Sequence, residues 1–241
     1  TILGVIMYLR LGHVVGRAGV FGALSIVLVS VVITFLTSLS LSAIATNTRV
    51  KGGGAYYLIS RTLGVEFGGA IGIVFYFAQA VSVALYIIGF SEAFVETFGL
   101  ASERLVFVAT VVNAAVFVCV YTGAGWTIRV QYVILAIVGL SLASFFAGAV
   151  SDWNSSVLTA NLKHAFQGRE TAFAMFALFF PAVTGMMAGA NMSGDLKDPA
   201  RSIPLGTLAA VGVTTAIYLL MTVAFAAARP REELLTDSLI V

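Results

Sequence analysis

The 241 residues are 60% hydrophobic and only 10% charged, with a formal net charge of +2 and a mean hydropathy of +1.03. That composition lies far outside the range of soluble domains and describes a polytopic membrane protein. So small a net charge and the single Cys119 exclude a nucleic-acid footprint, a disulfide framework and a thiolate metal site.

A membrane helix needs ~20 apolar residues, so spans follow from length and punctuation. Residues 1–15 are too short to cross alone and read as the latter part of a first span. With no signal-peptide pattern at Thr1 and no terminal signature at Val241, the chain reads as a piece of a longer one. Residues 20–45 make a second span that closes at the polar Thr46-Asn47-Thr48-Arg49. The following Lys51-Gly52-Gly53-Gly54 cannot stay helical, because each glycine costs about 1 kcal/mol against alanine in a helix, and it reads as a hinge or gate. Residues 55–63 mix Tyr56, Tyr57 and Arg61 with apolar side chains, which suits an interfacial or re-entrant helix. Residues 66–98 hold a third span bearing Gln79, Ser82 and Tyr86, residues 103–121 a fourth and 126–150 a fifth. Residues 152–170 are the longest polar connection.

The sixth span, residues 171–191, is written to break. Pro181 lacks an N–H and frees carbonyls in the preceding turn, while Gly185 tolerates the dihedrals of an unwound segment. Asp195 and Asp198 follow, suited to capping the next segment or to gating, and Pro204 in a first-turn position starts a seventh span that ends near residue 228. Lys and Arg divide almost evenly between the two sides, so charge leaves the sidedness open.

Leu3-Gly4-Val5-Ile6-Met7 and Thr184-Gly185-Met186-Met187-Ala188 share one design, a glycine followed by bulky apolar residues near a break. Four spans lie between them, so they open consecutive five-helix units, and an odd number of spans inverts the second unit. The expectation is an all-α, LeuT-like inverted-repeat transporter fold, with broken helices at spans one and six meeting near the midplane. Residues 1–150 form the first repeat, 151–170 the connection and 171–241 the start of the second. A half-helix starting at Gly4 points the amides of Gly4, Val5 and Ile6 into the cavity, and one starting at Gly185 does the same with Gly185, Met186 and Met187. Helix N-termini attract anions. Carbonyls freed by Pro181, the Thr184 hydroxyl and the Tyr86 phenol suit a weakly hydrated monovalent cation, and the lack of a carboxylate in these stretches makes a divalent ion a poor fit. Plainer readings stand beside these: Gly68, Gly69 and Gly72 as packing glycines, Tyr86 as a phenol bonded to a neighbouring helix, and Asn191 as a partner for backbone freed by the break.

Several motifs resemble one family nearly end to end. They are Ile2-Leu3-Gly4-Val5 with Val15-Gly16-Arg17-Ala18-Gly19, Leu41-Ser42-Ala43-Ile44-Ala45-Thr46-Asn47 with Lys51-Gly52-Gly53-Gly54-Ala55-Tyr56-Tyr57, and residues 179–191 with Ser193-Gly194-Asp195-Leu196 and Asp198-Pro199. Together they resemble the cation-chloride cotransporters, of the amino acid, polyamine and organocation transporter superfamily. The resemblance implies potassium at the carbonyls of Thr1 and Ile2 with Tyr86, Pro181 and Thr184. It implies one chloride at Gly4, Val5 and Ile6 and a second at Gly185, Met186 and Met187. That family has asparagine where this chain has Thr1, and its sodium ligands lie in later spans than these. The resemblance further implies a multi-pass protein of the plasma membrane, residues 49–61 in the cytoplasm, residues 152–170 outside, a homodimer, and transported ions in place of a cofactor. Three functions follow: symport of chloride with potassium, with or without sodium; an amino-acid or amine permease on the same fold; and a non-transporting scaffold or accessory subunit. With no nucleophile–base or metal constellation in view, an enzyme is not expected.

Overall fold

The computed structural model describes residues 2–47, 53–122, 124–168 and 170–236, without the side chains of 124–128 and 195. Thr1, Lys51 and Gly52, three of the expected site residues, lie outside the described residues. Every regular element among the described residues is helical.

The first is α1, Val5–Asn47, whose helical dihedrals are interrupted at Gly19 (φ 68°, ψ 172°). A straight helix would put residue 34 about 45 Å from residue 4. Instead, Tyr218 Oη lies 2.9 Å from both Ile2 O and Ala182 O, while Thr34 Oγ1 lies 3.3 Å from the carbonyl of Val183, the next residue along. Residues 2 and 34 therefore sit at one level, and α1 is two spans folded back on each other at Gly19. Only glycine readily takes that dihedral pair. The bend is also crowded, because a Cβ on Gly19 would stand 2.6 Å from the backbone of Lys163.

Next come α2 (Gly54–Leu63), α3 (Val65–Thr97), α4 (Leu105–Tyr121) and α5 (Ala124–Ser151), close to the expected interfacial helix and third to fifth spans. Beyond them lie α6 (Ser155–Ala160), α7 (Ala172–Phe179), α8 (Ala188–Asn191), α9 (Pro199–Ala228) and α10 (Arg231–Thr236). Six helices among the described residues are long and apolar enough to cross a membrane, counting α1 once and Ala172–Asn191 as one. The chain is thus an integral, multi-pass, all-α membrane protein.

Two expectations need correction. The seventh span begins at Pro199, not Pro204: Asp198 accepts a bond from Arg201 N at 3.3 Å, Pro199 takes the first-turn position, and Pro204 falls inside the helix. The rule that favours proline at a helix start was satisfied five residues earlier. The connection also carries α6, capped by the Asn154 side chain on Ser156 N at 2.9 Å, and the loop after α9 carries α10. Neither short helix has enough apolar periodicity to stand out in the sequence.

The main core joins both halves of α1 to α7 and α9 through Met7, Leu11, Val14, Val27, Phe179, Tyr218 and Phe225. By contrast α3 buries only Gly68, Gly89, Ser91 and Val95, and α4 buries no residue fully, so the apolar side chains of both face outward. Over the bend of α1, the connection is tied down by Val20 N to Asn161 O (3.0 Å), Ala165 N to Arg17 O (2.8 Å) and an Arg17–Glu170 ion pair at 3.1 Å. Asn161, fully buried, reaches across from there and donates to Ala226 O and Arg229 O at the end of α9. Of the three glycines read as packing sites, Gly68 meets Ser60 and Gly72 meets Tyr56 on α2, whereas Gly69 faces open space.

Candidate functional site

The sixth span breaks where its sequence says it should. After α7 the chain tightens into a 3₁₀ turn over Phe180–Val183, Thr184 is extended (φ −79°, ψ 174°), and Gly185 takes φ 103°. A proline cannot donate to the preceding turn, and glycine is the residue that tolerates the positive φ that follows. The expected half-helix starting at Gly185 does not form. Regular helix resumes only at Ala188 and lasts four residues before a second 3₁₀ turn over Ser193–Asp195. Asn191 and Ser193 lie there, and short polar side chains compete with helical bonding. A single turn carries little of a helix macrodipole, which needs a longer row of aligned peptides.

The first break is cleaner. Ile2, Leu3 and Gly4 are non-helical, α1 starts at Val5, and Met7 N bonds Gly4 O at 3.0 Å. The amides of Gly4, Val5 and Ile6 therefore occupy the start of a helix that continues to the bend at Gly19, where the first amides have no intrahelical partner. The Val5 side chain packs against Gly89 of α3, where an added Cβ would stand 2.8 Å from a Val5 methyl.

The two breaks meet. Ile2, Gly4, Ile6 and Met7 from the first, Pro181 and Ala182 from the second, and Tyr86 from α3 line one narrow recess. Of the expected cation residues, Ile2, Tyr86 and Pro181 thus share a cavity. Thr184 lies one turn along, its hydroxyl donating to Pro181 O at 2.6 Å. Of the expected anion residues, Gly4 and Ile6 line the same recess. Met186 turns toward the second half of α1, where Ser38 Oγ donates to its sulfur at 3.2 Å.

Three successive carbonyls of the break meet hydroxyl groups from different parts of the chain. Pro181 O receives Thr184 Oγ1. Ala182 O lies 2.9 Å from Tyr218 Oη of α9, and Val183 O lies 3.3 Å from Thr34 Oγ1 of α1. Tyr218 and Thr34 were not singled out in the sequence. Thr34 did leave a signal, since Ser30, Thr34, Ser38 and Ser42 repeat at the four-residue spacing of one helix face, and all four are buried. Tyr218 is one tyrosine in an apolar span and left none.

The expected hinge sits at the other end of the break. Gly53 caps α2, and Gly54 opens it against Asn191, with the Asn191 Oδ1 only 2.8 Å from where a Cβ on Gly54 would stand. Leu58 of α2 packs with Leu41, Ala45, Ala190 and Ile203 in a second apolar cluster. The end of the second span, α2, the turn after the break and the start of α9 are therefore one packed unit. Asn191 partners this interfacial helix. Asp198 caps α9, accepting from Arg201 N.

A family model described as amino acid permease matches residues 1–241, the whole chain. Among curated proteins, solute carrier family 12 member 2 of Mus musculus is 43% identical over 91% of this chain and 20% of its own length. Solute carrier family 12 member 1 of the same species is 39% identical over 96% of the chain and 23% of its length. Solute carrier family 12 member 2 of Squalus acanthias is 40% identical over 100% of the chain and 22% of its length. The chain spans about a fifth of the length of the curated relatives it matches.

Proposed function

Because the chain belongs to the amino acid permease family, we propose that it forms the ion-binding half of a secondary active symporter, one that carries chloride together with potassium by alternating access. The observation that carries this reading is the convergence of both broken segments, with Tyr86, on one recess. The similarity to solute carrier family 12 members and the motif resemblance to cation-chloride cotransporters support it. In this reading the scaffold is the LeuT-like inverted repeat, and the full-length protein works as a homodimer in the plasma membrane.

Potassium sits among the carbonyls of Thr1, Ile2 and Pro181, the Thr184 hydroxyl and the Tyr86 phenol. One chloride faces the amides of Gly4, Val5 and Ile6, and a second those of Gly185, Met186 and Met187. The first anion position is better supported, because a continuous helix stands behind it, whereas only one turn stands behind the second. Cation and anion neutralise each other, so the loaded site changes facing without carrying an isolated charge through low dielectric, where burial is expensive. No bond is made or broken. The Lys51-Gly52-Gly53-Gly54 segment serves as the cytoplasmic hinge, transmitting movement through the contact of Gly54 with Asn191.

Chloride-dependent rubidium uptake by the full-length protein tests this. Uptake that needs both ions is expected, and its absence at normal surface expression refutes the reading. Adding or omitting sodium in the same assay settles whether sodium is a third cargo. The family description favours a second reading, an amino-acid permease whose helix N-terminus holds a substrate carboxylate. The motif resemblance to the cation-chloride cotransporters, carried by Ile2-Leu3-Gly4-Val5 and residues 179–191, favours ions. Thermal stabilisation by an amino acid but not by chloride would reverse that preference.

A further inference from the structure

The Tyr218 hydroxyl has one proton to donate and two carbonyls to face. Its oxygen lies 2.9 Å from Ile2 O of the first break and 2.9 Å from Ala182 O of the second. A phenol donates a single hydrogen bond, so at any moment one carbonyl receives the proton and the other meets phenolic lone pairs. The Tyr218 side chain has no solvent exposure and Ile2 and Ala182 are buried too, so bulk water is a poor source of the missing donor. The site is therefore left with one more oxygen than its proton can satisfy, in a place where an unpaired acceptor is unfavourable. A monovalent cation would make up that deficit by drawing on the carbonyl that the phenol leaves over.

The phenol is also held in place. Its ring meets the Phe179 ring edge-on, with centroids 5.4 Å apart and planes at 85°. The neighbouring hydroxyls on α9 do not compete for the carbonyls of the breaks, because Thr214 donates to Ala210 O and Thr222 to Tyr218 O within their own helix. Tyr218 thus fixes, from the seventh span, the spacing of two carbonyls that belong to two different broken segments. One is Ile2 O, and the other is adjacent to Pro181 O.

We infer that Tyr218 is a positioning residue for the transported monovalent cation, setting the Ile2 and Ala182 carbonyls through its hydroxyl; this rests on the symport reading above. The full-length protein carrying Tyr218→Phe keeps the ring and loses only the hydroxyl. Two measurements are made on it: chloride-dependent uptake against rubidium concentration, and thermal stabilisation of the purified protein by rubidium. Thr222→Val, which removes a buried hydroxyl on the same helix that faces neither break, is the structural control.

The half-saturating rubidium concentration is expected to rise about tenfold in Tyr218→Phe, the factor that corresponds to ~1.4 kcal/mol. The maximal rate per transporter at the surface is expected to stay within about twofold of wild type, since the hydroxyl acts on cation affinity. Thr222→Val is expected to melt earlier with an unmoved rubidium midpoint. Should Tyr218→Phe behave like Thr222→Val, with lower stability and an unmoved midpoint, Tyr218 is a packing residue and the inference is wrong. If it reaches the surface poorly, the midpoint of rubidium stabilisation in the purified protein decides in the same way. Loss of chloride-dependent uptake in the wild type would instead overturn the symport reading, and with it this assignment.

Discussion

Replacing Gly19 with alanine should unfold the fold-back of α1, and the cost follows from two separate terms. Glycine at φ 68° and ψ 172° occupies a region that residues with a Cβ avoid, which carries about 1–3 kcal/mol of strain. The new methyl would stand 2.6 Å from Lys163 C and O and 2.8 Å from Leu162 O. Those atoms are backbone, and the segment is pinned by Val20 N to Asn161 O and Ala165 N to Arg17 O, so it cannot retreat cheaply. Forced overpacking of that kind adds about 1–3 kcal/mol. The sum, about 2–6 kcal/mol, is a large part of the ~5–15 kcal/mol by which domains are stable. Thermal unfolding of the purified full-length protein measures it, with Gly212→Ala as the comparison. Gly212 lies inside α9 with nothing within 4 Å of its added Cβ, so alanine there should stabilise by up to ~1 kcal/mol. If Gly19→Ala melts no earlier than Gly212→Ala, then α1 does not bend through Gly19, and the placing of residue 34 beside the second break is wrong as well.

Two further substitutions separate the hinge from the frame around it. Gly54→Ala drives a methyl to 2.8 Å from Asn191 Oδ1 and 3.0 Å from its Cα. It should lower the maximal rate of uptake several-fold while surface expression holds, and an unchanged rate would remove Gly54 from the hinge. Asp198→Ala removes the side chain that accepts from Arg201 N and should cost ~1 kcal/mol in thermal unfolding. The rubidium midpoint should stay where it was, because the cap faces neither break.

Where a signal was local, the sequence carried it. Pro181 followed by Gly185 announced an interruption, and the structure has a 3₁₀ turn, an extended Thr184 and a positive φ at those positions. Gly4 announced its partner, and the helix begins one residue later. Elsewhere two local rules compete for the same segment. Pro204 looked like a helix start, but the adjacent Asp198-Pro199 pair supplied both a cap and a first-turn proline. The stretch after Gly185 looks apolar enough for a half-helix, yet regular helix there lasts one turn, to Asn191, before the 3₁₀ turn that Ser193 opens. Gly68, Gly69 and Gly72 have the same spacing logic, but only a neighbouring helix decides which of them is packed, and that neighbour is α2, not another span.

What local reading could not reach is how the second break is held open. Pro181 and Gly185 explain why the helix stops, not where its orphaned carbonyls go. A buried carbonyl without a donor costs about 1–3 kcal/mol, so three in a row at 181–183 would consume most of a domain's stability. Lipid offers no hydrogen bonds in exchange. The break is tolerable because Thr184, Tyr218 and Thr34 each place a hydroxyl on one of those carbonyls, and Tyr218 and Thr34 lie 36 and 149 residues away from theirs. Under the proposed symport, hydroxyls also suit a site that must release what it binds. Each offers one proton, and Thr34 already has Ser30 O at 3.1 Å as a second acceptor, as Tyr218 has Ile2 O. A proton with two acceptors in reach can leave one carbonyl to a cation without leaving itself unpaired. The three side chains therefore account for the stability of an interrupted helix inside a membrane, and in the proposed symport two of them, Thr34 and Tyr218, leave carbonyls available to a solute.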